Sequence, residues 1–264
     1  MTRRFSAFSH LISPLIDFFA FFGEVFALLW ESALYILRGA ISYRHTVRQM
    51  AIIGVDSLLV AIITVGFSGA VAALNLSLAL TQYGQGGFVG LFVGKSLALE
   101  VAPVITAVVI AARAGSAMAA ELGTMVVTEQ VDALRSLATS PTQYLVVPRV
   151  LGTLIMLPLI TVLAGVAGAI GGAIAAAANG VPYASYWQSL QDLSINDPIS
   201  GLIKTVPFAL IIALVGCRQG LTTTGGAAGV GRATTSAVVF ALIGIFVADF
   251  FLAALLQDVS AFKF

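Results

Sequence analysis

Charged residues are scarce in this chain. Of its 264 residues, 9% are Asp, Glu, Lys or Arg and 59% are hydrophobic, whereas a soluble domain carries about a quarter charged residues. With a mean hydropathy of +1.02, the chain has too little polar surface to cover one soluble core of this size. The composition therefore predicts an integral membrane protein.

Several kinds of site are also missing. A single cysteine, Cys217, excludes an internal disulfide and a cysteine metal cluster. His10 and His45 are too isolated to suggest a metal ligand set or an acid–base pair. The net charge is +1 and no basic stretch resembles a nucleic-acid surface. We expect no metal and no nucleic-acid partner.

Nucleotide-binding motifs are incomplete. Residues 90–96 (GLFVGKS) resemble the end of a phosphate-binding loop, but Val89 stands where its first glycine is required. Residues 225–231 (GGAAGVG) depart from the dinucleotide fingerprint because Thr234 replaces the third glycine. There is no G-x-S-x-G elbow. The sequence predicts no cofactor bound by this chain and no catalytic site.

Five long apolar runs follow residue 50. A bilayer-spanning helix needs about 20 apolar residues, and inside lipid every backbone amide must be paired within its own segment. We therefore predict an all-α fold with five transmembrane helices. The runs are residues 51–80, 97–112, 144–178, 199–215 and 233–256.

The basic residues indicate an orientation. With a cytoplasmic N-terminus, all ten arginines fall on the inside and the three lysines, Lys95, Lys204 and Lys263, on the outside. This agrees with the positive-inside rule. Five spans then put the C-terminus on the periplasmic side of a bacterial inner membrane.

The first 40 residues carry a polar stripe. Arg3, His10, Asp17, Glu24, Glu31 and Arg38 recur every seven residues, a period that drifts only about 20° per heptad on an α-helix. Acids are costly in mid-bilayer, so we favour a helix in the cytoplasmic interface, with its stripe in water, over a sixth span. Residues 1–48 form this interfacial helix and linker, and residues 49–264 the membrane domain.

Small residues at four-residue spacing predict close helix packing. Ala164, Gly168 and Gly172 form one such set, and Gly66 and Ala70 another. Packing within one bundle explains each pair more simply than a dimer seam.

A short amphipathic helix is predicted over residues 128–138 of the cytoplasmic loop. Thr128 is placed to cap its first amides, Asp132 and Arg135 are spaced to pair, and Pro141 ends it. The helix either rests on its own bundle or docks a cytoplasmic partner. Its apolar stripe consists of Val127, Val131, Leu134 and Ala138.

Four charges lie in or beside the predicted spans. Intramembrane ionisable groups need partners and are a functional hypothesis by default. Glu100, Lys204 and Asp249 fall in the outer half, so we expect Glu100 and Lys204 to pair or share a polar spot in an apolar pathway. A purely structural ion pair is the alternative. Asp56 is nearer the cytoplasmic face and is expected to reach water.

Three blocks of sequence resemble the MlaE (YrbE-type) permeases of lipid ABC transporters. The first contains LEVAP (99–103), ARAGS (112–116) and AAELGTM (119–125); the second is TEQVDAL (128–134) with its continuation to 149; the third contains GLTTTGGAAGVG (220–231) and TTSAVV (234–239). The third block looks most like the cyanobacterial and chloroplast-envelope branch, which adds the chloroplast inner envelope as an alternative location.

The resemblance implies a homodimeric permease, two cytoplasmic ATPase subunits that carry ATP and Mg, an outer ring of MCE substrate-binding proteins, and phospholipid or a related lipid as cargo. Glu100, Lys204, Leu76, Leu78 and Tyr83 match positions at the lipid pocket. Leu99 departs from the arginine that many members have there. The coupling helix that receives the ATPase stroke would use Thr128, Glu129, Gln130, Val131, Asp132, Leu134 and Arg135.

Two other functions remain open on the residues alone. An ion- or proton-coupled carrier would use Glu100, Lys204 and Asp249 and transport without an ATPase. A membrane scaffold would have no transport pathway. Co-purification with an ATPase that responds to changes at Glu129 or Arg135 would count against a scaffold.

Overall fold

A computed structural model describes residues 2–261, and the side chains of residues 19–256. Within that part the chain is helical and has no strand. The helices are α1 (Thr2–Leu37), α2 (Tyr43–Gln82), α3 (Val89–Ser96), α4 (Ala102–Ile110), α5 (Ser116–Val127), α6 (Gln130–Ser136), α7 (Val147–Ala178), α8 (Tyr183–Gln191), α9 (Asn196–Leu221) and α10 (Gly226–Ala261). A 3-10 helix covers Gly86–Phe88, and π-helical turns cover Leu97–Val101, Ala111–Gly115 and Thr142–Val146.

The prediction of an all-helical membrane protein is confirmed. Six helical stretches between residues 19 and 256 are long and apolar enough to cross a bilayer, one more than the five predicted. The additional stretch is Phe19–Leu37, which qualifies by length and composition despite its acids. The other five contain the predicted apolar runs and extend beyond them, to Tyr43–Gln82, Gly86–Val127, Thr142–Ala178, Asn196–Leu221 and Gly226–Leu256.

The second of these five stretches is not one regular α-helix. Two π-helical turns, Leu97–Val101 and Ala111–Gly115, separate α3, α4 and α5. Each π-helical turn contains one charged residue, Glu100 in the first and Arg113 in the second. π-helical turns are rare and occur frequently at functional sites.

Helices α2 and α7 run side by side in the same direction. A Cβ added at Gly69 would lie 2.8 Å from the Gly168 Cα, and one added at Gly66 would lie 3.7 Å from the Ala167 carbonyl oxygen. Lack of a side chain at Gly69 therefore lets the two backbones touch. This confirms that small residues, Gly66 and Gly168 among them, pack helices within the bundle.

Helix α9 packs along α4, α5 and α10, and α10 also packs against α5. A Cβ at Gly216 would lie 2.9 Å from the Gly115 carbonyl oxygen, so α9 closely approaches the second π-helical turn. Near the other end of α9, Gly201 lies against Pro103 of α4. Residue numbers rise in the same direction in both segments, from Gly201 beside Pro103 to Gly216 beside Gly115. Helix α9 therefore runs parallel to the α3–α5 stretch.

The acidic stripe of α1 meets the bundle. Glu24 pairs with Arg218 at 2.8 Å, and Glu31 accepts a hydrogen bond of 2.9 Å from the Thr142 hydroxyl. The stripe is not wholly in water, because basic and hydroxyl groups of the bundle meet these two acids, although the Glu24 side chain stays half exposed. The side chains of Phe26 and Trp30, by contrast, are exposed. Arg3, His10 and Asp17 lie outside the described side chains.

Candidate functional site

A cluster of three charges lies where α9, α10 and the first π-helical turn meet. The Lys204 ammonium is 2.7 Å from Glu100 Oε1 and 3.0 Å from Asp249 Oδ1. The Lys204 side chain is 2% exposed. The predicted contact between Glu100 and Lys204 is thus confirmed, and Asp249 joins it.

Close backbone approach brings these residues together. Gly201 lies one turn before Lys204 on α9, and a Cβ there would lie 3.1 Å from the Pro103 ring while colliding with the Ala98 carbonyl. The missing side chain lets α9 approach the π-helical turn that carries Glu100. Helix α10 supplies Asp249 to Lys204, and its Gly244 lies against Ile211 of α9, so the two helices are antiparallel.

The charge balance of the cluster is uneven. One ammonium faces two carboxylates, and it uses two of its three hydrogen-bond donors on them. Glu100 is 44% exposed, whereas Asp249 is 18% exposed. The cluster therefore keeps one carboxylate, that of Glu100, accessible from outside the protein interior.

The predicted apolar members of this site lie at the outer end of α2. Leu76 packs against the core, while Leu78 and Tyr83 are exposed. No hydrogen bond of the described side chains joins the Tyr83 hydroxyl to the three charges. The structure does not bring these residues into polar contact with the cluster, and their role in a lipid pathway stays a prediction.

An apolar cavity of about 270 Å³ lies between the first π-helical turn, α7, α8 and α9. Thr161 is a polar residue in its wall, and its hydroxyl donates to the Leu157 carbonyl, so it offers no free donor. Leu190 and Leu193 close the cavity from the side of α8. Tyr186 holds α8 in place through a 3.2 Å hydrogen bond to the Ala169 carbonyl, and burial raises the pKa of Tyr186 to about 12.

The predicted cytoplasmic helix exists, but it is shorter than expected. Helix α6 covers Gln130–Ser136, and Glu129 precedes it in the left-handed region with a φ of 59°. The predicted capping by Thr128 is wrong, because its hydroxyl instead donates to the Thr124 carbonyl of α5 at 2.8 Å. Helix α6 also ends before Pro141, since Ala138 takes a φ of 57°.

Helix α6 has one buried side and one exposed side. Val131 is buried and Leu134 packs against the same core, so the helix does rest on its own bundle. The predicted pair between Arg135 and Asp132 is confirmed at 2.9 Å on the exposed side. Leu137, just after the helix, is 74% exposed. The arrangement leaves a mixed apolar and charged surface open for a partner.

Two further ion pairs were not predicted. Arg149 is buried and lies 2.6 Å from Glu121. Arg113 lies 3.3 Å from Asp56, so the carboxylate expected to reach water pairs with a guanidinium while remaining half exposed. The sequence shows that each of these segments carries an arginine or an acid. Which arginine pairs with which acid depends on how α2, α5 and α7 pack, and the sequence does not show that. Among residues 19–256, no group of His, Cys, Asp and Glu is arranged to hold a metal ion.

Comparisons with known proteins agree with this architecture. The profile of the family described as Permease MlaE matches residues 46–255. A probable ABC transporter permease protein of Synechocystis sp. is 45% identical over 233 residues, which are 88% of this chain and 89% of that protein. The chloroplastic protein Trigalactosyldiacylglycerol 1 of Arabidopsis thaliana is 40% identical over 226 residues, covering 85% of this chain and 65% of that protein.

A probable ABC transporter permease protein of Rickettsia typhi is 39% identical over 216 residues, 80% of this chain and 83% of that protein. The Synechocystis and Arabidopsis relatives fit the cyanobacterial and chloroplast branch indicated by the sequence. Permeases of this kind have no catalytic site of their own, and a separate subunit hydrolyses ATP. The chain belongs to the MlaE permease family and is a membrane-embedded permease subunit of an ABC transporter.

Proposed function

We propose that this permease moves phospholipid or a related lipid between the inner membrane and an MCE protein on the outer side. The observation that carries the proposal is the buried Lys204 between Glu100 and Asp249. A lipid has a large apolar part and one polar head. A largely apolar bundle whose outer half holds this charged cluster, partly accessible through Glu100, has matching chemistry.

The name of one relative also supports a lipid cargo. The Arabidopsis protein is named after trigalactosyldiacylglycerol, which is a lipid. Leu78 and Tyr83 are exposed at the outer end of α2, where they are available to an acyl chain or to a second copy of this chain. We assign them, with Leu76, to the outer part of the pathway.

The proposed assembly is a homodimer with two cytoplasmic ATPase subunits and an outer ring of MCE proteins. ATP and Mg belong to the ATPases, which would contact Thr128, Glu129, Gln130 and Arg135 around the exposed side of α6. Exposure of Leu137 and of the Asp132–Arg135 pair supports this contact. The chain would lie in a bacterial inner membrane, or alternatively in the chloroplast inner envelope.

We further propose five spans, with residues 1–48 as an interfacial segment and residues 49–264 as the permease domain. Glu24 meets Arg218, three residues from the end of α9, and Glu31 meets Thr142, just before α7. Both partners lie at the helix ends that adjoin α6 and the α9–α10 turn. A helix whose acids, seven residues apart, contact this one end of the bundle fits a position along the interface better than a crossing.

Lipid transfer by the reconstituted transporter tests the function. The full complex in lipid vesicles should move labelled phospholipid to the MCE protein only with ATP. Glu100→Lys and Lys204→Glu should each reduce the rate strongly, because each puts like charges together in the cluster. Lys95→Glu is the matched control, since Lys95 is an exposed lysine on α3, and it should transport normally.

If neither reversal reduces transfer in folded protein, the cluster has no part in the pathway. Transport by the permease alone, without an ATPase, would instead favour an ion-coupled carrier. ATP-dependent export of a non-lipid solute with no lipid transfer would contradict the proposed cargo.

A further inference from the structure

A second cavity, of about 180 Å³, lies between α2 and the second π-helical turn with α5. Its wall contains three charged side chains, Asp56, Arg113 and Glu121, and the amide of Gln49. It shares no lining residue with the Lys204 cluster. A charged cavity is unusual in a bundle this apolar, because isolated charges are costly near lipid.

The charged groups in this cavity use only some of their hydrogen-bonding atoms on one another. Arg113 contacts Asp56 at 3.3 Å and donates to the Ser57 hydroxyl at 3.2 Å, but its side chain is 40% exposed. Exposed pairs of this kind contribute little stability and rearrange easily. Glu121 uses one carboxylate oxygen on Arg149. Its other oxygen and the Gln49 amide have no hydrogen-bond partner among the described side chains.

A π-helical turn of the backbone also lies at this cavity. Arg113 lies in one π-helical turn, and Glu100 of the outer cluster lies in the other π-helical turn of the same membrane stretch. They are 13 residues apart, or about 20 Å along a helix. No charged residue lies between them. The stretch therefore presents charged groups at two depths with an uncharged interval between them.

The depth of the second cavity matches a lipid headgroup. Asp56 lies 26 residues before the end of α2 at Gln82, about 39 Å along the helix. A bilayer has a hydrocarbon core of about 30 Å and measures about 40–45 Å with its headgroups. The cavity is thus at the level of the headgroups of the cytoplasmic leaflet when the outer end of α2 reaches the outer boundary.

We propose that this cavity binds the headgroup of a phospholipid from the cytoplasmic leaflet. The Arg113 guanidinium is suited to the phosphate, and the free oxygen of Glu121 and the Gln49 amide are suited to ammonium or hydroxyl groups. Arg149 pairs with Glu121 beside the wall, so the two guanidinium groups and the two carboxylates balance in charge, which suits a zwitterionic headgroup better than free phosphate. The inference rests on the proposed lipid cargo and adds a second lipid-binding site, on the cytoplasmic side.

Photo-cross-linking in the full transporter tests this cytoplasmic-side site. Vesicles would contain a phosphatidylethanolamine with a diazirine at the start of one acyl chain, and peptide mass spectrometry would map the adducts. We expect adducts within residues 49–57 and 111–121. Arg113→Gln and Glu121→Gln should each lower this yield on the order of tenfold, the effect of losing one hydrogen bond to a charged group.

Two variants make the result interpretable. Ala117→Trp fills the cavity while leaving all its charges, and should lower the yield even if a charge variant misfolds. Arg44→Gln removes an exposed arginine from the first turn of α2 and should leave the yield unchanged. Added glycerophosphoethanolamine should compete with the lipid, and inorganic phosphate should not.

Unchanged yields in Arg113→Gln, Glu121→Gln and Ala117→Trp would overturn the inference, as would competition by inorganic phosphate alone. The proposed function fails separately. Loss of all ATP-driven lipid transfer from an otherwise active complex, with cross-linking retained, would remove the cargo hypothesis and leave a lipid site. Normal lipid transfer without these adducts would support the proposed function and contradict the cytoplasmic-side site.

Discussion

Lys204 is the least exposed of the ion-paired side chains that the structure describes, at 2%, compared with 44% for its partner Glu100. A buried charge depends on its partners, because removing one side of a buried pair leaves the other uncompensated. Two carboxylates around one ammonium make the cluster sensitive to loss of the lysine. The same sensitivity would arise from a structural role alone, so the two roles need separate measurements.

Neutralising the whole cluster separates stability from transport. Lys204→Met should lower the free energy of unfolding by about 3–5 kcal/mol, because it leaves two carboxylates unpaired. Adding Glu100→Gln and Asp249→Asn should recover most of that loss, since neutral groups replace the charges. Thermal unfolding in detergent measures both effects. Lipid transfer by the triple variant should remain low, and transfer at the wild-type rate would mean that the charges are only structural.

At the scale of helices, the sequence predicted what the bilayer dictates. The five predicted apolar runs all lie within observed helices, because lipid forces backbone groups to pair locally. The contact of Glu100 with Lys204 was also predictable, since two opposite charges at one depth have few other partners. The π-helical turns carrying Glu100 and Arg113 were not predictable, because they depend on packing between helices and have no composition signal.

Helix α6 shows how a local rule fails. A threonine before a helix normally caps it from an extended conformation. Here α5 ends directly at Thr128, and the chain reverses through the left-handed Glu129, so the threonine hydroxyl serves α5 instead. The pair between Asp132 and Arg135 was predicted correctly because i,i+3 spacing on a helix is sufficient to bring them together.

Exchanging the two charges on α6 tests its coupling role. Asp132→Arg with Arg135→Asp keeps the pair and inverts the charge pattern of the exposed surface. Because both side chains are more than half exposed, we expect a stability change within about 1 kcal/mol. Binding of the ATPase and its lipid-stimulated ATP hydrolysis should fall sharply, as measured by co-purification and phosphate release. Asp192→Lys, an exposed reversal just after α8, is the control.

Normal ATP hydrolysis and transport in the exchanged variant would show that α6 does not receive the ATPase. Loss of folded protein would instead show that the pair supports the bundle. The observed exposure of both side chains argues against that second result.

At the scale of the whole molecule, the helix directions define two ends. Helices α2 and α7 run parallel to each other, α9 runs parallel to α3–α5, and α10 runs antiparallel to α9. Helix α6 and the turn between α9 and α10 therefore lie at one end, and α8 at the other. The arginines Arg135, Arg218 and Arg232 lie at or near the first end, which favours a cytoplasmic position for that end.

Cysteine accessibility in sealed vesicles tests this orientation and the number of spans together. In a Cys217→Ser background, which removes the buried natural thiol, a thiol reagent that does not cross membranes should label Ala133→Cys from the ATP side and Gln188→Cys from the opposite side. With five spans, Ser6→Cys is labelled from the same side as Ala133→Cys. Labelling of Ser6→Cys from the opposite side would mean that α1 crosses the bilayer. Labelling of Ala133→Cys from the side without ATP would make contact between α6 and an ATPase impossible, because the ATPase and its nucleotide share one compartment.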